Sequence, residues 1–496
     1  MEYAYNLLEV SIFRLKSLTM LLNGMDVRLK TTLIGLGIVC LVMACAEDDI
    51  PVVNPYEDVK EYLTAIEASP QRSGNPDLGK EYLLYGDYVD SGVPAGLYAT
   101  TFGLMAPSDN FLNRTGPSAD INYSFNLTKA PNGQDIIAPN CLQCHSGKVD
   151  GEFVFGLGNI DFDATINQGE AAPFLDLLVK SSFGENSPEY EAFLPFNEAI
   201  IATAGQLVTD VVGANSADKL AAVLAAHRTQ DDLVWSNDPL LPIPDEVIPA
   251  DVPAWWLLKK KHAMFTTAVG RKDFSRLMMA SSILTMQDST KAREVDNQFP
   301  DVLAFINTLE PPEYTGQIDQ GLAEEGRGIF IETCSTCHGT YGPQGAYPNV
   351  LVDLEILETD KNLAESNFAY DYFVGWYNNS WFAQGPHAAE LMPGNGYVAP
   401  PLDGVWATAP YLHNGSVPTL MDLLDSTRRP EIWRRALSEK NYDHTLMGIA
   451  YSVKEAKSDK YDYDTSVRGY GNKGHYFADH LGDEERTALL EYLKTL

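Results

Sequence analysis

Basic residues are scarce in this chain of 496 residues. Lys and Arg total 35 against 68 Asp and Glu, which gives a formal charge of -33. A surface this acidic repels a polyanion, so the sequence argues against a nucleic-acid partner. It suits either a plain solvated surface or a basic partner protein. The apolar content of 45% is high enough for buried cores, and it indicates a globular rather than a disordered chain.

Long hydrophobic runs are also missing. The one candidate near the start, Leu33–Ala44, has 12 residues and is too short to span a bilayer. It follows Arg28 and Lys30 and ends in a small residue directly before Cys45, which resembles the lipobox of bacterial lipoproteins. We therefore expect residues 1–45 to be a signal peptide with a lipobox, the alternative being an ordinary cleaved signal peptide. This predicts a periplasmic or cell-envelope protein that touches a membrane only through its lipid anchor.

The chain has only six cysteines, and their positions leave none for a disulfide. Cys40 lies in the leader, Cys45 is the expected lipid anchor, and the other four form the motifs CLQCH at 141–145 and CSTCH at 334–338. Residues three apart in a helical turn share a face, so two thiols can reach the vinyl groups of one porphyrin. The next residue, a histidine, then lies beneath the iron. The sequence predicts two covalently bound haem c groups, held by Cys141, Cys144, His145, Cys334, Cys337 and His338.

Two other interpretations of these cysteines were weighed. Paired zinc knuckles lie about 15 to 20 residues apart, whereas the two motif histidines are 193 residues apart, from position 145 to position 338. Zinc would also leave both trailing histidines unexplained. A thioredoxin-like dithiol needs a strand-helix context, which neither motif has.

The pattern along the chain predicts a mainly α fold made of two cytochrome c-like haem domains. Residues 46–140 are rich in turn-forming residues and predict a loop-rich wrapping segment. A buried helix at 301–309 ends at Pro311 and Pro312, and the chain closes with a helix that begins at Asp483. The expected domains are a first haem c domain at 141–310, a linker at 311–320 and a second cytochrome c domain at 321–496.

The last third of the chain carries the string TAPYLHNGS, within APPLDGVWATAPYLHNGSVPTL. This string resembles the C-terminal haem domain of the bacterial di-haem cytochrome c peroxidase and MauG superfamily. The longer context, with CHGTYG, YPN and the terminal ADHLGDEERTALLEYLKTL, is most similar to the rubber-oxygenase-like branch. The resemblance implies that His413 is the distal ligand of the second haem, which would make that haem a six-coordinate, electron-storing centre. Met392, in a Met-Pro-Gly-Asn loop, is a cytochrome-like alternative.

The resemblance also bears on calcium. In the peroxidases, carbonyls that match Thr408 and Pro410 help to bind a calcium ion between the haems. The matching asparagine after the first haem motif is absent, because Gly151-Glu152-Phe153 occupies that stretch. Calcium is therefore without support from the sequence. The remaining histidines outside the motifs are expected to be ordinary core or surface groups. They are His227, His262, His387, His444, His475 and His480.

The first haem would then be the reactive one. The stretch PAWWLLKKKHAMF at 253–265 is again similar to the rubber-oxygenase-like branch. Trp255 or Trp256 is a candidate electron bridge between the haems, and Phe265, Arg271 and Phe274 are candidates for the distal pocket. The alternative for each residue is an ordinary place in the haem-contacting core. The peroxidase signature APTLLN followed by FWDGR is missing, which favours oxygen and an apolar organic substrate over peroxide reduction.

The leading hypothesis is an exported di-haem cytochrome that acts as a redox enzyme of the peroxidase or oxygenase kind. Oxygen or peroxide would be activated at the N-terminal haem, and the C-terminal haem would store or relay an electron. A small electron donor or acceptor protein would be its partner. The alternatives are a pure electron carrier with two six-coordinate haems and a lipid-anchored sensor that uses haem structurally.

Overall fold

The computed structural model describes residues 59–106, 108–109, 111–438 and 440–496. The predicted signal peptide and lipobox, with Cys40 and Cys45, lie outside these residues. Residues Asp58–Leu496 form one compact unit, and the division at 311–320 stays a prediction. No helix within the described ranges is long and apolar enough to cross a membrane.

Fourteen α-helices occur within the described residues. They are α1 Pro76–Tyr85, α2 Phe102–Met105, α3 Ala172–Phe183, α4 Pro188–Thr203, α5 Ala217–Ala226, α6 Phe274–Met279, α7 Ser289–Ile306, α8 Gln320–Thr333, α9 Ser335–His338, α10 Leu354–Leu357, α11 Asn362–Ala369, α12 Asp371–Asn379, α13 Leu420–Leu424 and α14 Asp483–Leu493.

Short strands are interspersed with these helices, so the fold is mixed rather than mainly α. They are β1 Leu63–Ala65, β2 Val93–Pro94, β3 Phe125–Lys129, β4 Asp135–Pro139, β5 Ser146–Val149, β6 Glu152–Phe155, β7 Gly270–Lys272, β8 Val350–Asp353, β9 Ala389–Leu391, β10 Gly396–Val398, β11 Ile432–Arg435, β12 Tyr442–Asp443, β13 Gly448–Ile449, β14 Tyr451–Val453 and β15 Asp462–Asp464. Strands of two to five residues are too short to show a clear alternation of apolar and polar side chains, and the sequence therefore gave no strand signal.

The segment predicted to be loop-rich has regular structure in its described part. Helix α1 is capped by Asn75, whose side-chain oxygen accepts hydrogen bonds from the amides of Asp77 and Leu78. Strands β2, β4 and β3 form an antiparallel sheet in that order. The turn residues that predict loops there are the connections between these short elements.

Several sheets join distant parts of the chain. Strand β1 pairs with β8, which also pairs with β10. Strand β7 pairs with β9, so that Arg271 lies opposite Glu390. These pairings connect the N-terminal segment and the first motif's half of the chain to the second half. Their separation along the sequence explains why a strand pattern alone could not predict them.

Two pairs of helices pack closely against each other, and each pair has a glycine at the point of contact. Helix α1 packs on α7, and α8 packs on α14. A Cβ atom at Gly79 would lie 1.9 Å from the carbonyl oxygen of Asp301, and one at Gly326 would lie 2.0 Å from that of Ala488. The backbones therefore approach more closely than any larger residue would allow.

Two main hydrophobic cores lie side by side within the unit. The first contains Leu142 and Trp255, with Cys141 packed against it. The second contains Trp256 and Phe330, with Cys334 packed against it. Each haem-attachment motif therefore has a core of its own, and the adjacent tryptophans belong to different cores.

Candidate haem-attachment sites

The first motif begins at a single 3-10 turn. The Asn140 side chain caps this turn, Cys141–Gln143, by accepting a hydrogen bond of 2.9 Å from the amide of Leu142. The amide of His145 then donates to the carbonyl of Cys141 at 3.1 Å. Leu142 is fully buried. The local turn therefore positions both cysteines and the histidine within one compact loop.

His145 lies in an apolar environment. Its ring stacks on Trp255, with ring centroids 4.7 Å apart and planes at 23°. Its Nδ1 atom is buried and has no hydrogen-bond partner among the described residues. Burial lowers the pKa of His145 to about 4. The imidazole is therefore neutral at physiological pH, as a metal ligand must be.

The thiols of the first motif are poorly suited to thiolate chemistry. Burial raises the pKa of Cys141 to about 11 and also raises that of Cys144. The Asn215 side-chain amide donates to the sulfur of Cys144 at 3.4 Å. A reactive dithiol needs a lowered thiol pKa, so a redox-dithiol role suits this motif poorly. Cys141, Cys144, Cys334 and Cys337 form no disulfide within the described residues. No three His, Cys, Asp or Glu side chains gather as a metal site in the described part of the chain.

The second motif continues a long helix. Cys334 ends helix α8, and its amide donates to the carbonyl of Phe330 at 2.8 Å. Helix α9 follows at once, and the amide of His338 donates to the carbonyl of Cys334 at 3.0 Å. Gly339, with φ of 79°, ends the turn in a conformation that larger residues rarely adopt. The motif is thus held by helix geometry rather than by a capping side chain.

The ring of His338 is oriented by the backbone. Its Nδ1 atom lies 2.8 Å from the carbonyl oxygen of Pro400. A carbonyl only accepts hydrogen bonds, so Nδ1 carries the hydrogen and Nε2 keeps its lone pair. This is the arrangement of a metal-ligating histidine with its orienting partner. Together with the flanking cysteines, it fits a haem c group at the second motif.

A further histidine, His475, lies near His338. The sequence predicts only an ordinary core or surface role for it. The ring centroids of His475 and His338 are 6.2 Å apart. Two imidazoles on opposite sides of one metal have ring centres roughly 6 Å apart, since each metal–nitrogen bond is about 2 Å. Burial lowers the pKa of His475 to about 3. The amide of His475 donates to Leu357 at 2.7 Å, and its φ is 53°. A histidine with this left-handed backbone conformation cannot be recognised from sequence periodicity, although Gly474 before it indicates a turn.

His413 contacts a residue of the core cluster against which the second motif packs. Its ring stacks on Tyr397, with centroids 3.9 Å apart and planes at 13°. Tyr397 belongs to a core cluster against which Cys337 packs. The Nε2 atom of His413 is buried and has no hydrogen-bond partner among the described residues, and burial lowers the pKa of His413 to about 4. The role of His413 as distal ligand stays a prediction. The side chain of its alternative, Met392, is 54% exposed.

The loop that carries His413 is firmly anchored. The side-chain amide of Asn414 donates to the carbonyls of Gly469 and Gly471, each at 2.9 Å. The carbonyl of His413 accepts from the amide of Asp251 at 2.7 Å. The string TAPYLHNGS is therefore fixed to two other segments of the chain.

Trp255 contacts the first motif, and Trp256 contacts the loop that orients the histidine of the second. Trp255 stacks on His145, as described above. The indole nitrogen of Trp256 donates to the carbonyl of Asp403 at 2.8 Å. Asp403 lies three residues beyond Pro400, which orients His338. Trp255 thus lies against the first motif and Trp256 against the loop that follows Pro400, and their role as an electron bridge stays a prediction.

The other predicted pocket residues are dispersed. Phe265 is 41% exposed and has φ of 68°, a costly conformation for a bulky residue and one typical of functional sites. The Nε atom of Arg271 is buried without a hydrogen-bond partner, and burial lowers the pKa of Arg271. Phe274 is buried in the first core. Nearby, the carboxylate of Asp296 pairs with Arg276 and Arg72, each at 2.7 Å. A distal pocket built from Phe265 and Arg271 stays a prediction.

Residues 396–434 match the family model described as RoxA-like, cytochrome c-like. This stretch includes Pro400 and His413. The match supports a cytochrome c of the rubber-oxygenase type, and a cytochrome c-like domain implies covalently bound haem c. The chain is thereby indicated to be a haem cytochrome, which is consistent with an oxidoreductase role.

Two proteins of Sinorhizobium fredii (strain NBRC 101917 / NGR234) are similar to this chain. The protein y4iJ is 30% identical over 253 residues, which cover 38% of this chain and 41% of that protein. The protein y4iM is 26% identical over 310 residues, which cover 54% of this chain and 69% of that protein. The chain therefore spans less than half the length of y4iJ. Both are described only as uncharacterized proteins, so the similarity brings no activity to this chain.

Proposed function

We propose that the protein is a di-haem c-type redox enzyme. One haem is held by Cys141, Cys144 and His145, and the other by Cys334, Cys337 and His338. A haem iron with two protein ligands transfers electrons, whereas one with an open position can activate oxygen or peroxide. The geometric difference between the two histidines supports this division of labour. It also follows the resemblance to the di-haem peroxidase and MauG superfamily and its rubber-oxygenase-like branch.

The observation that carries this proposal is the position of the tandem tryptophans. Trp255 contacts His145 at 4.7 Å between ring centroids, and Trp256 is hydrogen-bonded to the loop that orients His338. Adjacent aromatic side chains that connect two redox sites provide a route for an electron. An electron carrier whose two haems act independently would not need aromatic side chains that connect the two sites.

The second site is the electron-storing one in this proposal. Two neutral imidazoles, those of His475 and His413, lie in its surroundings, and His338 is already oriented by Pro400. The first site has a single stacked histidine with an unpaired Nδ1. Phe265, a predicted residue of its distal pocket, is exposed and would suit an apolar organic substrate. Export to the periplasm or cell envelope, a lipid anchor and a small redox partner complete the proposal.

Two measurements on the holoprotein test it. Mass spectrometry of the denatured chain should show a gain of two haem groups. In the reduced protein, carbon monoxide should shift part of the Soret band, because one iron has an open position. A gain of fewer than two haems contradicts the site assignment. An unshifted Soret band would favour the alternative, a pure electron carrier.

A further inference from the structure

Three polar side chains from distant segments meet beside the second core. His444 follows strand β12, Tyr314 lies in the stretch 311–320, and Asp150 lies in the turn between β5 and β6. The Nδ1 atom of His444 is 3.1 Å from the hydroxyl of Tyr314, and its Nε2 atom is 3.3 Å from a carboxylate oxygen of Asp150. The hairpin that carries Asp150 begins directly after His145.

The order of donors in this triad follows from its chemistry. An ionised carboxylate only accepts hydrogen bonds, so Nε2 of His444 carries the hydrogen and Nδ1 keeps the lone pair. The hydroxyl of Tyr314 then donates to Nδ1. Burial, and after it the charge of Glu491, raises the pKa of Tyr314. The phenol therefore keeps its proton at neutral pH and would release it only when the ring loses an electron.

Aromatic rings connect this triad to the tryptophans between the motifs. Tyr314 lies edge-on to Trp406, with centroids 5.3 Å apart. Trp406 and Trp256 belong to the same hydrophobic core. The indole of Trp256 is hydrogen-bonded to Asp403, three residues before Trp406. An electron route from Tyr314 to the stack of Trp255 and His145 would therefore run through this core.

We propose that Tyr314 is a redox-active tyrosine for which His444 is the proton acceptor and Asp150 the orienting group. In this step Tyr314 loses one electron and its hydroxyl proton. The electron passes through Trp406 and Trp256 to a haem c group that peroxide has oxidised. The proton moves to Nδ1 of His444, where the imidazolium faces the carboxylate of Asp150. The proposal rests on the proposed function, since a haem oxidant is its electron acceptor.

The product of this step, the tyrosyl radical of Tyr314, would be an oxidant close to the protein surface. The side chain of His444 is 38% exposed and that of Asp150 is 31% exposed, so the triad reaches solvent. We infer that a small phenol in solution can restore Tyr314. The phenol gives one electron to the Tyr314 ring and releases its own proton to solvent, while His444 returns its proton to the Tyr314 oxygen. This adds a second oxidation site for aromatic reductants that need not enter a haem pocket.

The surroundings hold the phenol in place. A Cβ atom at Gly316 would lie 2.5 Å from the hydroxyl of Tyr314, so the backbone there covers the phenol closely. The ammonium of Lys494 lies 5.5 Å from the ring centroid of Tyr314 and pairs with Glu491 at 2.5 Å. Asp443 precedes His444 in the chain.

Tyr442 provides a matched control within the same cluster. Its ring is 5.6 Å from that of Trp406 and 4.9 Å from that of His444. Its hydroxyl, however, donates to the backbone carbonyl of Trp406 at 2.6 Å. A carbonyl cannot take up the proton of an oxidised phenol, so Tyr442 should not form a stable radical.

The test uses the holoprotein, rapidly frozen after oxidation, with electron paramagnetic resonance as the readout. Hydrogen peroxide serves as one oxidant and photogenerated tris(bipyridine)ruthenium(III) as another, which needs no haem chemistry. A tyrosyl signal should form in the wild type and in Tyr442→Phe but be lost in Tyr314→Phe. Formation should be slower in D₂O, because a proton moves with the electron. Added 4-methoxyphenol should speed the decay of the signal.

The positioning roles have their own variants. His444→Gln keeps a polar side chain but cannot accept a proton, and it should slow radical formation on the order of a hundredfold, the contribution of a positioned base. Asp150→Asn should slow it less. Haem content by mass measures whether each variant is folded and loaded. If His444→Gln does not take up haem, the comparison of the tyrosyl signals of Tyr314→Phe and Tyr442→Phe tests the proposal instead.

Two results would overturn the proposal. One is an equal tyrosyl signal in the wild type and Tyr314→Phe with both oxidants. The other is loss of the signal in Tyr442→Phe alone. If peroxide leaves the haem spectrum unchanged, the proposed function fails, but the ruthenium oxidant still tests Tyr314. A decay unaffected by 4-methoxyphenol would remove the inferred surface reaction.

Discussion

The two CxxCH motifs have the same spacing but place their histidines in different surroundings. His145 stacks on an indole and its Nδ1 atom has no hydrogen-bond partner within the described residues, whereas His338 donates from Nδ1 to a backbone carbonyl. The neutral imidazole of His475 lies near His338, and that of His413 stacks on Tyr397, in the cluster against which Cys337 packs. A hydrogen bond at Nδ1 fixes the ring and increases the basicity of Nε2. The difference therefore lies in the surroundings of each histidine and not in the motif itself.

This comparison has a functional consequence. A site with an oriented histidine and further imidazoles suits a haem with two protein ligands, which stores electrons. A site with one histidine in an apolar stack suits a haem with an open position. In the proposed function, the tandem tryptophans would carry electrons between the two sites.

The largest effect is expected from removing the thiols of either motif. The double variant Cys334→Ala with Cys337→Ala should lose one haem, because no thioether can form there. The double variant Cys141→Ala with Cys144→Ala should lose the other. Mass spectrometry of the denatured proteins measures this directly. Retention of both haem masses by either variant would show that its motif is not an attachment site.

The next largest effect concerns the sixth ligand of the second haem. Replacing that ligand by alanine should convert one low-spin haem to high-spin, since the iron loses a strong-field nitrogen. The ring distance of 6.2 Å favours His475, whereas the family resemblance favours His413. Absorption and paramagnetic resonance spectra of His475→Ala and His413→Ala decide between them. If neither variant changes the spectrum, the assignment of two imidazoles to this haem is wrong.

A smaller effect is expected from the tryptophans between the sites. Trp256→Leu should slow electron transfer between the haems roughly tenfold, which equals about 1.4 kcal/mol in activation free energy. Trp235→Leu is a suitable control, because Trp235 stacks on His227 and lies outside the path. Stopped-flow reduction that follows both haems measures the rate. Equal rates in the two variants would contradict a bridging role for Trp256.

The sequence predicted some parts of the structure and not others. The motifs and the terminal helix follow from local spacing and periodicity, which act within a few residues. The helix expected at 301–309 is instead the last part of the longer helix α7, which ends at Ile306. The proximity of His475 to His338 depends on contacts between distant segments. Periodicity carries no information about such contacts, and the same holds for the triad of Tyr314.

The smallest effect separates how the two motifs are held. In the first motif the Asn140 side chain caps the turn and also donates to Asn126 at 2.8 Å within a buried environment. Asn140→Ala should lower the free energy of unfolding by about 1 to 2 kcal/mol, the usual cost of losing such a cap. In the second motif the half-buried Ser335 only bonds to its own preceding turn. Ser335→Ala should therefore change stability by no more than about 0.5 kcal/mol. Chemical denaturation of the two holoprotein variants measures both changes in the free energy of unfolding. An equal loss of stability in the two variants would mean that the second motif also depends on its side chains rather than on helix geometry.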